Sequence, residues 1–347
     1  MLPYFLIGLL VLSLCIVDRS YRFSTFYILI AVTSLFCGLR DETGNDYFSY
    51  NEIYQWGNTN DSSYDSIEPL FRYLINVFNY LNFNFEFFLF IFTSLIVAIS
   101  YGVYRNIFYQ NNFLLPIGLF FLNNMPLFFM SVIRQGMAAV LLFCAIISIS
   151  NRRIVYFILL SISAALFHKV SIIISVLIYI SYQVSKIDIR YYSKLLITLF
   201  TFSLILSNIN IDYFTNIFDK KYLVYINNVN DNNYNFFMGG YFLFKIFIIL
   251  VYLKYFYGIK KIADINIILL SFSVLLNILL YRYGEINLRI SGYFDMSLVY
   301  VSAFLIFTIK RYKAIFTLIV ISYFIIHYLK FIYNFSDVFI PYRNILI

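Results

Sequence analysis

Apolar runs long enough to approach the thickness of a bilayer follow one another along almost the whole chain, and a soluble fold of this size could not bury them all. A membrane-crossing helix needs roughly 20 mainly apolar residues, within a range of about 17–25. Runs of that kind lie near residues 2–17, 23–39, 85–104, 113–131, 135–150, 154–167, 170–184, 193–209, 241–257, 263–281, 291–309 and 314–332. They predict an all-α, polytopic integral membrane helical bundle of about 12 transmembrane helices, with a range of about 10–13. The whole of 1–347 reads as a single transmembrane domain with outer loops near 40–84 and 210–240. Only 12% of residues are charged, where a soluble domain carries about 25%.

The run MLPYFLIGLLVLSLCIV has neither a basic leader nor a small-residue cleavage site, so it reads as a first span and not a signal peptide. Cys15, Cys37 and Cys144 lack paired spacing, which suggests neither a disulfide framework nor a metal site. The 41 Phe and 34 Tyr fit AT-rich codon usage, lipid-facing rings and interfacial Tyr belts, so ring-rich segments alone mark no ligand site.

Orientation follows from Lys and Arg in short loops. One alternating set of connections carries Arg19, Arg22, Arg105, Arg152, Arg153, Lys186, Arg190, Lys194, Lys254, Lys260, Lys261, Lys310, Arg311 and Lys313, against Asp18, Asp188 and Asp264. That set is assigned to the cytoplasm, and the net charge of +8 then needs no nucleic acid partner. Two segments resist simple counting. Residues 69–83, PLFRYLINVFNYLNF, are apolar but short and read as an interfacial or re-entrant helix on the outer face. Residues 154–184 have basic residues at both ends, so the alternation demands two short helices with His168 and Lys169 at the apex.

Seven of the 17 acidic residues fall between Asp41 and Glu68. Charge that dense cannot sit in lipid, so the stretch marks a water-exposed loop. With this topology Arg40, Asp46, Arg134, His168, Arg282 and Arg289 all lie at or just below the outer surface. Arginine is depleted there, and at a helix centre each would cost about 2.5–3.5 kcal/mol. Arg40 has Asp41 and Glu42 beside it and could simply pair with them. Arg134, in FFMSVIRQGMAAVLLF, has no acidic residue within a helical turn, which points to an anionic substrate as its partner. Arg282, Glu285 and Arg289 could form a salt-bridged helix face yet leave a surplus positive charge. His168 could equally be a satisfied interfacial histidine, and His327 reads as packed within the last span.

Guanidinium groups hold phosphate oxygens bidentately and stay protonated. Several at one membrane-level cavity suggest a phosphate or pyrophosphate, and a polyprenyl-phosphate-linked molecule is the natural candidate. The chain has no GxxxxGK[ST], GxGxxG or HExxH motif and no Asp-x-Asp pair, so nucleotide-driven and metal-dependent chemistry lose ground and no cofactor or metal is expected.

The ordered set Gly38-Leu39-Arg40, Gly44-Asn45-Asp46-Tyr47-Phe48-Ser49-Tyr50, Glu68-Pro69-Leu70-Phe71, Arg134-Gln135-Gly136-Met137-Ala138, Leu166-Phe167-His168-Lys169, Arg289 with Tyr293-Phe294, and Pro341-Tyr342 resembles the EpsG family of Wzy-type polysaccharide polymerases. The resemblance covers almost the whole chain. It implies a bacterial inner-membrane polymerase of O-antigen, capsule or exopolysaccharide repeat units, similar to lipid-sugar-dependent (GT-C-like) glycosyltransferases. It also implies an undecaprenyl-pyrophosphate-linked oligosaccharide as substrate, membrane lipid around the chain, and a chain-length regulator and a flippase of the same pathway as partners. Arg134, Arg289, His168 and Asp46 are the expected catalytic residues, with Arg40, Arg282, Tyr47, Tyr50, Glu68 and Tyr293 expected to bind substrate. The Asn- and Tyr-rich segment near 210–240 could be an acceptor-binding lid or a polar connector. A flippase or exporter of lipid-linked oligosaccharide, a ligase using the same donor, and a membrane O-acyltransferase are the rival readings.

Overall fold

The structure, a computed structural model, describes residues 1–16, 19–59, 62–187, 189–206, 239–256, 261–280 and 284–345. The apolar runs are helices: α1 (Leu2–Leu14), α2 (Arg22–Gly38), α5 (Phe85–Ile107), α6 (Leu114–Asn124), α7 (Ile133–Ser150), α8 (Ile154–Phe167), α9 (Ser171–Val184), α10 (Ile189–Leu206), α11 (Gly240–Tyr255), α12 (Lys261–Leu279), α14 (Asp295–Thr308) and α15 (Lys313–Asn334). Polar connections add α3 (Tyr47–Thr59), α4 (Pro69–Tyr80), α13 (Gly284–Gly292) and α16 (Ser336–Phe339). Among the described residues α5, α7, α12 and α15 are long and apolar enough to cross a membrane, and α1, α2, α8, α9 and α14 are shorter apolar helices. This is a helical membrane protein.

Local chemistry sets the ends of these elements. Pro3 and Pro69 sit in the first turns of α1 and α4, where a missing N–H breaks no helical bond. Asn84 caps α5 by accepting from the Phe87 N–H at 3.0 Å, with Glu86 in the first turn and Arg105 in the last, each matched to the helix dipole. The interruption expected at His168 and Lys169 is present: α8 ends at Phe167, His168 is extended, and α9 begins at Ser171. Helix α4 turns Phe71 and Ile75 inward and leaves Tyr73 and Tyr80 exposed, a one-sided pattern that suits a short helix lying on a packed surface.

The chain forms two compact units, Met1–Ser148 with Arg152–Ser175 and Ala303–Ile347, and Ile149–Asn151 with Val176–Ser302. In the first unit residues 116–133 are buried without a break, as expected of a segment that is apolar all round. They comprise most of α6, a one-turn π-helix (Met125–Phe129) and the start of α7. Helices α1, α5 and α15 pack on α6, and α2 packs along α5. In the second unit α12 takes the central place, with α10, α11 and α13 against it. Asp264, 3% exposed, accepts from the Tyr252 hydroxyl at 2.8 Å there.

The two ends of the first unit's chain meet. Strand β1 (Arg40–Asp41) pairs antiparallel with β2 (Arg343–Asn344), a two-residue exception to the all-α expectation. The Tyr342 ring stacks on Phe36 at 4.4 Å and its hydroxyl donates to the Phe36 carbonyl at 2.7 Å. Burial pushes the Tyr342 phenol up to about 12, so it remains a donor at neutral pH. Tyr4 ties α1 to the same corner by donating to the Phe339 carbonyl at 2.9 Å. Tyr342→Ala is expected to destabilise the protein by about 2–3 kcal/mol and Tyr342→Phe by about 1 kcal/mol, read as thermal unfolding of the detergent-solubilised chain; equal midpoints for the two variants would show that the ring contributes nothing.

Candidate functional site

The loop that follows α2 is fixed by a charge turned inward. Arg40 is 0% exposed, and its guanidinium donates to the carbonyls of Thr43 at 3.1 Å, Cys37 at 2.5 Å and Phe129 at 3.0 Å. Its Nη2 is buried without a hydrogen-bond partner. Burial lowers the guanidinium to about 10, so it stays charged at neutral pH. Three carbonyl oxygens, and not the neighbouring Asp41 and Glu42 carboxylates, accept the hydrogen bonds of Arg40. Glu42 instead meets Arg343 at the surface.

Glycine makes this closure possible at two motif positions. Gly44 has φ +101°, a conformation that L side chains avoid, and a Cβ there would stand 1.9 Å from the Met130 carbonyl oxygen. A Cβ on Gly136 would stand 2.7 Å from the Phe128 carbonyl oxygen. The loop and the first turn of α7 both press against the segment around the π-helical turn.

Arg134 opens α7 beside this corner. Its Nη1 meets the Glu68 carboxylate at 2.5 Å, with side-chain exposures of 23% and 9%. Its carbon Cζ lies 5.7 Å from the Tyr50 ring centre and 5.5 Å from that of Phe71, and its backbone N–H donates to the Tyr50 hydroxyl at 3.4 Å. The local sequence offers Arg134 no carboxylate, whereas the fold brings one from 66 residues earlier. Glu68 is the N-cap of α4 but makes no capping bond with its side chain. The carboxylate sits at the positive end of a helix and is aimed at Arg134. The Nε of Arg134 is buried and unpartnered, so its fork is only partly used.

The other loop residues stand around this pair. Burial raises the Tyr50 phenol, with the Asp46 carboxylate adding to the shift, which sets Asp46 within electrostatic reach. Tyr47 donates to Asp41 Oδ1 at 3.0 Å. A train of rings runs from Arg134 through Phe71 to Phe92 (5.4 Å) and Phe167 (5.9 Å). Phe167 precedes His168, which is half-buried at the end of α8, and α8 packs on α4. Arg40, Asp46, Tyr47, Tyr50, Glu68, Arg134 and His168 therefore share the first unit.

Arg289 and Tyr293 belong to the second unit, in the last turn of α13 and just after it. Arg282 and residues 210–238 of the expected 210–240 outer loop lie outside the described residues. The second unit also holds a polar cluster that motif reading passes over. Lys245, 0% exposed, donates to Ser273 Oγ at 2.8 Å and lies 3.7 Å from Asp295 Oδ1, which also accepts from the Tyr241 hydroxyl. The available signal was each charge's own position: a lysine inside FLFKIF, and an aspartate opening an apolar run, each needing a partner in lipid.

The EpsG family model matches residues 23–344, nearly the entire chain. The chain belongs to the EpsG family. EpsG is a Wzy-type polymerase-like family, and membership points to an exopolysaccharide or O-antigen polymerase-type function of glycosyltransferase-like character. No curated protein and no solved structure matches the chain.

Two outcomes test the EpsG chain's packing. Gly44→Ala is expected to reduce glycan polymer at least about tenfold through displacement of the Arg40 loop, with the chain still inserted; wild-type polymer from this variant would show the loop's position to be irrelevant. Lys245→Met alone should destabilise by about 3–5 kcal/mol by stranding Asp295, while Lys245→Met with Asp295→Leu should recover most of the loss. Equal melting of the single and double variants would refute the coupling.

Proposed function

We propose that this EpsG protein is a repeat-unit polymerase that moves a growing glycan from undecaprenyl pyrophosphate to the non-reducing sugar of the next lipid-linked repeat unit. It works at the outer face of the cytoplasmic membrane, with about twelve apolar helices as crossings and the loop of residues 40–84 outside. The observation that carries this reading is Arg134: a partly exposed guanidinium, oriented by Glu68 and two rings, with an unpartnered Nε. An orienting carboxylate at one corner of the fork leaves donors for phosphate oxygens at the others.

In the reaction the acceptor hydroxyl oxygen bonds to the anomeric carbon while the bond from that carbon to the pyrophosphate oxygen breaks. The leaving pyrophosphate keeps the bonding pair, and the hydroxyl proton passes to a base. Arg134 and Arg289 stabilise the charge that grows on the pyrophosphate, where preorganised donors act most strongly. Asp46, electrostatically coupled to Tyr50 beside Arg134, takes the proton or orients the sugar, and His168 contacts phosphate or hydroxyl. Substrate binding is assigned to Tyr47, Tyr50 and Glu68 of the first unit, to Tyr293, and to Arg282. Arg40 is a positioning residue: with its guanidinium committed to three carbonyls, it holds the loop that presents Asp46.

Loss of one such donor lowers a rate by about 10²–10³. In cells lacking this gene, complementation with Arg134→Ala should give single repeat units and no ladder, with the variant present in the membrane at the wild-type level. Arg134→Lys should restore little, because an ammonium lacks the planar fork. A normal ladder from Arg134→Ala would overturn the assignment, and lipid-linked units held on the cytoplasmic leaflet in the null strain would identify a transporter.

A further inference from the structure

The second unit carries an apolar groove of about 530 Å³ between α10, α11 and α12. Leu196 and Phe200, Ile246 and Leu250, and Val274 form its walls, and Lys254 is its last lining residue toward the end of α11. The lining stretch from Ile246 to Lys254 rises ~12 Å along α11, most of one leaflet of a hydrocarbon core ~30 Å thick. At the same end of the unit two ammonium groups converge on one ring. Lys186 Nζ lies 4.3 Å and Lys261 Nζ 4.2 Å from the ring centre of Tyr182, and Tyr182 is itself buried. Lys261 opens α12 directly after the connection that follows α11, so it shares an end with Lys254. Among the described residues no carboxylate lies within ion-pair distance of Lys186, Lys254 or Lys261; Lys186 donates to Gln183 Oε1 at 2.6 Å.

Lysines that merely anchor helix ends reach separately for water. Two that gather at one buried ring repel each other, and an anion within reach of both relieves that repulsion. An apolar slot that spans most of one leaflet and ends at Lys254, on the end of the unit that also carries the paired cations, suits a phospholipid: chain in the slot, phosphate diester toward the ammoniums. We infer that this end of the second unit binds an anionic phospholipid of the cytoplasmic leaflet, with an acyl chain in the α10–α11–α12 groove and its headgroup on Lys186 and Lys261, Lys254 closing the mouth. The lipid-linked substrate is the wrong occupant. Arg289 follows the opposite end of α12, ~28 Å along that helix from Lys261, and a groove this short holds only a fraction of an undecaprenyl chain.

The site is tested on the purified, delipidated full-length chain by native mass spectrometry and thermal unfolding, with phosphatidylglycerol, phosphatidylcholine of the same chains, undecaprenyl phosphate and inorganic phosphate as probes. Phosphatidylglycerol is expected to bind roughly 30-fold tighter than phosphatidylcholine, equivalent to ~2 kcal/mol for two lysines, and to raise the melting midpoint. Lys186→Ala with Lys261→Ala should abolish that preference, Lys186→Arg with Lys261→Arg should keep it, and Leu250→Trp should weaken binding by filling the groove. Retention of the preference in the double alanine variant overturns the proposal. So does an equal effect of inorganic phosphate, which would need no groove, or tighter binding of undecaprenyl phosphate, which would make the slot a polyprenyl site. These readouts are independent of polymer formation, so they stand or fall apart from the polymerase assignment.

Discussion

A charge withdrawn from water must find its partner inside the protein, and in this chain that requirement fixes the polar loop. Arg40 is wholly buried, and the oxygens that receive its guanidinium belong to the end of α2, to the loop and to the π-helical turn. Hydrogen bonds to a charged group contribute about 1.5–3 kcal/mol each, and a buried donor left unmade costs about as much. Displacing the loop would therefore strand several donors at once. The same corner receives β2 and the Tyr342 ring, so the chain's end reinforces a loop that the arginine has already drawn inward. Asp46 and Tyr50 stand where they do because the turn at Gly44 is pinned from both sides.

Arg134 and Glu68 apply the same rule closer to water. An isolated guanidinium on a mobile loop would spend binding energy on being ordered; here the ring faces of Tyr50 and Phe71 and the Glu68 carboxylate order it before any ligand arrives. Arg134 is partly exposed beside a buried Glu68, so its guanidinium is reached without first opening a sealed core. Lys245 and Asp295 are the contrast: both are buried within the second unit and bonded to Ser273 and Tyr241. A pair that deep holds helices together, and little of it is available to a ligand.

Most of the helical layout was legible in the sequence because it is written locally. Among the described residues each apolar run lies on a helix, the interruption at His168 is present, and the short apolar segment 69–83 carries α4. The site was legible only as a list of residue types. Nothing near Arg134 announces Glu68, since the pairing depends on the N-terminus of α4 arriving at the first turn of α7. Arg40 read as a cation at or just below the outer surface that could pair with the two acids beside it, and its burial follows from carbonyls that a residue string does not display. The β1–β2 pair joins residues some three hundred positions apart, far beyond any local pattern. The Lys245–Asp295 pair was half legible: each charge stands out in its apolar run, while their proximity is a property of the fold.

The aromatic abundance, read from composition as a codon effect and a lipid-facing surface, acquires a structural meaning in the first unit. Phe71, Phe88 and Phe92 form a contiguous set between α4 and α5, with Tyr50 and Tyr54 reaching them from α3 and Phe167 from α8. Such contacts contribute about 0.5–1.5 kcal/mol each beyond the area they bury, enough together to hold short amphipathic helices that could not fold alone. The rings place a polar loop rich in carboxylates on an apolar bed, and that bed carries Arg134 at one end and leads to His168 at the other. In this EpsG chain the rings hold the charged loop firmly on the packed helices of the first unit.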